Sequence, residues 1–323
     1  MGKHTMYKKS QTTAARRVHT KPFGVRLRED FARNRVLYLM VLPVVIFYIL
    51  FAYLPMYGIT IAFQDFNPAL GYFKSPWVGW ENFKSFFGSV YFWRILRNTL
   101  HISLASIIFG FPAPILLALL INEVNSKAFM KSVQTITYLP HFISLVVVCG
   151  IIRDFTSTGG VVTQMIAKVT GDNTSMLMKP QAFVPLYVVS EIWQGIGWGS
   201  IIYIAALSGI DTQLYEAASL DGCGRLRQVI HVSIPGILPT IVIMLILRMG
   251  SVLNVGYEKI ILLYNPSIYE TADVISSFTY RKGLQEFEWS YGSAVGLFNS
   301  IVNVFFLLGT NYMSSKLTQS SLW

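Results

Sequence analysis

Three observations predict that this chain is an all-α polytopic membrane protein with six transmembrane helices. Of its 323 residues, 53% are hydrophobic and only 13% charged, and the mean hydropathy is +0.49, too apolar for an ordinary soluble domain. Six stretches, at residues 36–57, 99–121, 133–152, 183–207, 237–257 and 292–312, are each long enough to cross a hydrocarbon core, which takes about 20 apolar residues. Between the fourth and fifth lies a polar interlude, residues 211–239, whose length and helical signals exceed those of a simple connecting loop.

The organisation that follows is a basic tail (1–35), a six-helix membrane domain (36–312) and a short C-terminal tail (313–323). The net charge of +10 is concentrated in the first tail, where ten Lys/Arg face only Glu29 and Asp30. A basic segment beside the first span is an orientation signal or a contact for anionic lipid headgroups rather than a nucleic-acid site. With an even number of spans, both termini then lie in the cytoplasm. Loops on the assigned inside, tail included, carry fifteen Lys/Arg against ten outside, and without the tail the inside count drops to five. The first apolar stretch is too long for a signal-peptide core and is expected to remain in the mature protein. Cys149 lies in an apolar span and Cys223 in the interlude, so both are expected as free thiols.

Along the chain, Pro43 and Pro55 fall in the first span and Pro112 and Pro114 in the second. Each removes a backbone donor and frees a carbonyl that a neighbouring helix has to satisfy, so these spans are expected to be bundled. The outer segment 58–96, with Trp77, Trp80, Phe83, Phe86, Phe87, Tyr91, Phe92 and Trp93, has the aromatic density of an interfacial element. Residues 153–182, with Gly159, Gly160, Gly171 and Asp172, read as a loop with little regular structure. The long connection between the fifth and sixth spans has room for a short helix.

Polar side chains inside spans face protein or a water-filled cavity, because lipid cannot solvate them. Tyr187, Glu191, Gln194 and Trp198 share one face of the fourth span, at helical spacing. Arg248, Ser251, Asn254 and Glu258, with Tyr257 beside them, form a similar stripe on the fifth, and Asn299 and Asn303 lie four apart on the sixth. At a rise of ~1.5 Å per residue, Glu191 lies about 12 Å and Arg248 about 16 Å from opposite faces of a core about 30 Å thick. The two are therefore expected either to pair or to face one cavity together. Aromatic and amide groups in such a stripe suit a sugar, whose apolar ring face stacks while its hydroxyls hydrogen-bond. Interhelical hydrogen bonding competes with that reading, most strongly at Asn299 and Asn303. Gly292 and Gly296 permit close helix approach. There is no GxxxxGK[ST] phosphate loop, HExxH, GxSxG or paired Cys/His ligand set, which leaves no catalytic residue, metal ligand or cofactor to assign to this chain.

In the interlude Asp211 is a natural N-cap for a helix from Thr212 to Asp221, which Gly222 and Gly224 end, and a second short helix from Arg225 to His231 should stop before Pro235. Glu216-Ala217-Ala218, Gly222 three residues on, and Val232-Ser-Ile234-Pro235 nine further on resemble the EAA loop of ABC importer permeases, EAA-x3-G-x9-I-x-L-P. The departures, Val232 for Ile and Ile234 for Leu, keep an apolar side chain. Tyr138-Leu-Pro140-His141-Phe-Ile-Ser144, Leu263-Tyr-Asn-Pro266 and Tyr269-Glu-Thr-Ala-Asp273-Val274 extend the resemblance to the carbohydrate-uptake, maltose-permease-like family and its LplB-like branch for oligosaccharides and polysaccharide fragments, alginate or xylan fragments among them.

That resemblance implies a type I ABC importer permease fold in the bacterial inner membrane. The cytoplasmic coupling helix would dock on an ATPase through Glu216, Ala217, Ala218, Ser219, Asp221, Gly222 and Pro235. The implied partners are a second permease in a heterodimer, two ATPase subunits carrying ATP and Mg, and an extracytoplasmic solute-binding protein. It also implies sugar contacts in two regions, from Glu191 through Trp193 to Trp198 and from Met249 to Tyr257, overlapping the stripes above. An ion-coupled secondary transporter using Glu191 as its proton site, and a membrane scaffold without transport, are the competing classes.

Overall fold

The computed structural model describes Gly24 and residues 31–318. Residues 1–23 and 25–30 of the basic tail lie outside the described residues, as do residues 319–323 of the expected C-terminal tail. The chain divides into two compact units, residues 1–58 and 59–323.

In the first unit, helix α1 (Arg35–Tyr48) has Pro43 inside it and widens into a π turn at Ile49–Tyr53. In the second, α2 (Glu81–Phe87) and α3 (Phe92–Ala105) lead through another π turn, Ser106–Gly110, into α4 (Pro112–Asn122). After α5 (Lys127–Tyr138) come α6 (Leu145–Thr156), α7 (Val161–Thr170), α8 (Pro180–Ser208), α9 (Thr212–Leu220), α10 (Ile234–Met249), α11 (Tyr257–Leu263), α12 (Ile275–Tyr280) and α13 (Trp289–Thr318). Among the described residues there is no strand, and one isolated bridge joins Gln64 to Trp77. Three of the π turns stand immediately before a proline-led segment, at Pro55, Pro112 and Pro235. An extra residue in the turn relieves the clash between the proline ring and the carbonyl one turn back.

Five helical stretches among the described residues are both long and apolar enough to cross a membrane: Arg35–Phe63, Phe92–Asn122, Leu145–Thr170, Arg225–Met249 and Trp289–Lys316. Helix α8 has the length, 29 residues, but Glu191, Gln194 and its glycines make it less apolar. The expected helix over 133–152 is interrupted: Leu139–Phe142 is a 3-10 turn, and Ser144, whose hydroxyl accepts from the Val147 amide, starts α6 afresh. Pro140 removes a backbone donor, and the break itself lies at Ile143 and Ser144, whose ψ values of 133° and 145° leave the helical region. The fifth span ends at Met249 rather than 257. The 153–182 segment, expected as loop, holds the ten-residue α7 and a 3-10 turn at Met176–Met178.

Packing among the described residues falls into four clusters, the smallest made of Ala62, Phe83 and Ala294. Ile102, Val148, Phe183, Val184 and Ile260 join α3, α6, α8 and α11. Phe86, Ile95, Leu253, Phe278 and Val295 join α2, α3, α12 and α13. Ala118, Tyr203, Leu207 and Ile237 join α4, α8 and α10 near the interlude. Between spanning helices the alternative to contact is lipid rather than water, so close packing and polar pairs carry the association. Gly292 supplies one such approach: a Cβ there would lie 2.6 Å from the Gly283 Cα. The aromatic outer segment is partly internal, with Phe83 and Phe86 buried while Trp77, Trp80 and Trp93 are exposed.

A buried polar knot fixes the 264–288 connection. Asp273, fully buried, accepts from Arg281 through both carboxylate oxygens (3.2 and 2.7 Å), lies 3.5 Å from Arg94 and accepts from Ser277. Asn98 of α3 donates to the Glu270 and Asp273 carbonyls. Asp273→Asn removes the charge and leaves two guanidinium groups facing an amide. It is expected to cost about 3 kcal/mol, read as a lowered unfolding midpoint of the purified membrane complex.

Candidate functional site

Glu191 stands near the middle of α8, and Arg248 near the end of α10. The Arg248 Nη2 donates to Glu191 Oε1 at 2.9 Å, and Ser106 Oγ, in the π turn between α3 and α4, donates to Glu191 Oε2 at 2.6 Å. Of the two arrangements expected from matching depth, a pair or a shared cavity, the pair is made, and a residue of a third segment holds its carboxylate. Ser103 donates to the Val252 carbonyl, which ties the same region of α3 to the turn after α10.

This ion pair borders two recesses. A small polar one, of about 30 Å³, is lined by Ser103, Ser106, Tyr187, Asn254 and Gly256 as well as by Glu191, Arg248 and Ser251. A larger, more apolar one of about 370 Å³ shares Glu191, Arg248 and Ser251, and adds Phe111, Pro114, Gly195, Gly199, Tyr203 and Met244. Glu191 and Arg248 side chains remain 31% and 42% exposed, accessible enough to exchange partners with a ligand. Tyr187 is almost buried, and its ring and carbonyl lie against Lys259 Nζ (4.8 Å to the ring centroid, 3.3 Å to the oxygen). Burial pushes the Lys259 ammonium down, to about 8, against the pull of the Glu191 charge. Lys259 belongs to α11, in the connection between spans.

The structure brings together Tyr187, Glu191, Arg248, Ser251 and Asn254. It separates the others expected with them. Trp193 turns to an apolar surface with Phe155, Val162 and Val189. Trp198 stacks on His141, centroids 4.6 Å apart, and meets Phe142 edge-on. Gln194 lines neither recess. Because α10 stops at Met249, Asn254, Tyr257 and Glu258 do not continue its face: Tyr257 lines a different recess, and Glu258 is exposed in the first turn of α11. Asn254 Oδ1 accepts from both Asn299 (2.7 Å) and Asn303 (3.1 Å), and Asn303 Oδ1 accepts from the Leu253 amide. Those two asparagines hold the turn to α13, the interhelical role that competed with ligand contact. Ser103, Ser106 and Lys259 were missed by reading polar stripes within single spans. Ser103 and Ser106 at helical spacing are the only signal the sequence offered.

The interlude folds into α9, capped by Asp211, whose carboxylate accepts from the Gln213 amide at 2.9 Å. Its end is a Schellman turn: Gly222 has φ +76°, its amide donates to the Ser219 carbonyl, and the Cys223 amide donates to that of Ala218. The expected second helix does not stop before Pro235. Arg225–Gln228 runs through a π turn at Val229–Ser233 directly into α10, and the widened turn just before Pro235 accommodates the proline ring and its missing donor. Tyr215 and the buried Ser233 share a hydroxyl hydrogen bond of 2.9 Å, and Ser219 accepts from Gln228. These contacts fasten α9 to the base of α10 while Glu216, Ala217, Ser219, Asp221, Gly222 and Pro235 stay exposed and Ala218 is half-buried.

A helical bundle with a polar recess between its spans and a capped helix exposed beyond them defines a membrane permease. The model of the family described as "Binding-protein-dependent transport system inner membrane component" matches residues 110–315, and the chain belongs to that family. It is 41% identical over 301 residues to Protein LplB of Bacillus subtilis (strain 168), covering 93% of this chain and 95% of that one. It is 40% identical to the polygalacturonan/rhamnogalacturonan transport system permease protein YteP of the same organism, covering 92% and 93%. The crystal structure of a bacterial ABC transporter involved in the import of the acidic polysaccharide alginate contains a chain similar to this one, with a TM-score of 0.84, 44% identity and coverage of 91% and 99%. A chain in the structure of the bacterial alginate ABC transporter in complex with alginate pentasaccharide-bound periplasmic protein gives 0.85, 43%, 92% and 100%.

The chain is thus a multi-pass inner-membrane permease subunit of an ABC importer of the carbohydrate-uptake type, not an enzyme; ATP hydrolysis belongs to a separate subunit. Membership in this family sets aside the ion-coupled and scaffold alternatives. No cluster of metal-ligating side chains occurs among the described residues.

Proposed function

We propose that the chain carries an acidic oligosaccharide, a uronate-containing fragment of the alginate, xylan or pectin kind, delivered by an extracytoplasmic binding protein. The observation that carries this reading is Arg248, a guanidinium paired, among the described residues, with Glu191 alone and bordering both recesses. A planar, permanently charged fork suits bidentate contact with a sugar carboxylate, while Ser251 and the exposed Asn254 amide offer hydrogen bonds to sugar hydroxyls. The relatives named for polygalacturonan/rhamnogalacturonan and for alginate support an acidic polymer.

Both termini lie in the cytoplasm, and α9 is the coupling helix. A second permease pairs with this one, and two ATPase subunits bind ATP and Mg. ATP binding draws the ATPases together, α9 moves with its docked subunit, and the bundle rocks to open the recess toward the loaded binding protein. Rigid transmission is supported by the unbroken helical run from Arg225 to Met249, which is about 37 Å long at the helical rise. The test is an uptake screen of the complete complex and its binding protein against galacturonate, alginate and neutral xylan oligomers. Uptake of the acidic oligomers is expected; uptake restricted to neutral sugars overturns the substrate class.

A further inference from the structure

We propose a second sugar subsite at the end of the bundle remote from α9, where the connection 250–288 meets the start of α13. It rests on the oligosaccharide reading above and extends it: the transported chain lies along a track of two subsites rather than in one recess. The recess concerned, of about 340 Å³, is lined by Tyr257, Tyr280, Trp289, Ser276, Thr279 and Ser293, at the small end of the size range of small-molecule sites. Three aromatic faces and three hydroxyls, with no ionisable carboxylate or cation among the lining residues, match the alternation of apolar face and hydroxyl edge that a pyranose ring presents.

Three further features point the same way. Tyr257 and Tyr280 lie 5.9 Å apart at an interplanar angle of 32°, half-open rather than stacked shut, and Tyr257 is 41% exposed. Trp289 is flanked by Phe287, whose ring centroid is 5.6 Å away and whose φ of +60° is the only positive value at a non-glycine among the described residues. Such a conformation costs about 1–2 kcal/mol and persists only where the surroundings impose it. Lys282 brackets it, meeting Glu286 at 2.6 Å and Glu288 at 3.1 Å on either side of Phe287, while the Glu288 amide donates to the Lys282 carbonyl. The third feature is continuity. Val255 and Gly256 line the polar recess, Tyr257 lines the outer one, and Ser276 of the outer recess donates to the Val255 carbonyl at 3.0 Å. One stretch of backbone thus forms the sill between the outer recess and the polar one, which shares Glu191, Arg248 and Ser251 with the larger recess, so a chain of several rings can reach from the larger recess to the outer one and a short one occupies only the larger.

The experiment is length-resolved uptake by the complete complex in proteoliposomes with its binding protein, using galacturonate di-, tri-, tetra- and pentasaccharides. For Trp289→Ala and Tyr280→Ala the KM for the tetra- and pentasaccharide is expected to rise about tenfold while that for the disaccharide is unchanged; Trp289→Phe, which keeps an aromatic face, stays near wild type. Equal loss at every length, accompanied by weakened association with the second permease, would show this face to be a subunit contact and overturn the proposal. Unchanged KM at every length overturns it as well. Absence of oligosaccharide uptake by the wild-type complex would instead bring down the substrate reading, and the subsite with it.

Discussion

Replacing Arg248 with Met lowers uptake of an acidic oligosaccharide by the assembled transporter by about a hundredfold, or about 2.7 kcal/mol of lost stabilisation. Two losses combine. The substrate carboxylate has no guanidinium to meet, and Glu191 keeps only the Ser106 hydroxyl, leaving a half-buried carboxylate whose charge repels the anionic sugar. Arg248→Lys restores the charge without the fork and recovers part of the uptake. Glu191→Gln separates the two causes: it removes the repelling charge and preserves an acceptor for Ser106, so its effect on acidic sugars is smaller than that of Arg248→Met. Unchanged uptake and unchanged assembly in Arg248→Met would refute both the substrate contact and the structural pair.

The second large effect is expected at α9. Glu216→Lys and Gly222→Asp should leave ATP hydrolysis running in the complex while uptake falls by about tenfold or more, with sugar binding to the external protein intact. The two act differently. Glu216 is exposed, and its reversal alters only the surface that we propose meets the ATPase. Gly222 has open space around its Cβ position but a φ of +76°, so any side chain there costs about 1–2 kcal/mol in backbone conformation and loosens the turn that ends α9. Gly222→Ala should therefore resemble Gly222→Asp in uncoupling, although it adds no charge. Normal coupled uptake in Glu216→Lys and Gly222→Asp would remove α9 from the transmission path.

The interlude was more legible than the cavity because its signals are local. A cap at Asp211 and a left-handed glycine at Gly222 act within one turn of chain, and both appear where the residues place them. The second helix was misjudged because Pro235 is compatible with two local outcomes, a stop before it or a helix that continues through a π turn, and the fastening of α9 through Tyr215 and Ser233 accompanies the second. Within the spans, the stripe on α8 was a correct observation of spacing with an incomplete consequence. Tyr187 and Glu191 reach the recess, whereas Trp198 one to two turns further meets His141 of a different segment.

The sequence by itself determined that this is a multi-span helical membrane protein, that an exposed capped helix interrupts its apolar segments, and that Glu191 and Arg248 lie at matching depth. Length, hydropathy and capping are properties of consecutive residues, and the rise of a helix converts them to position without reference to any partner. Only the tertiary structure decided that Ser106 completes the Glu191–Arg248 pair, that α10 ends at Met249, and that Asn254 is claimed by Asn299 and Asn303. The physical reason is that a polar group inside a membrane protein takes whichever partner the packing brings within about 3 Å, and that choice depends on how helices distant in the chain are placed together.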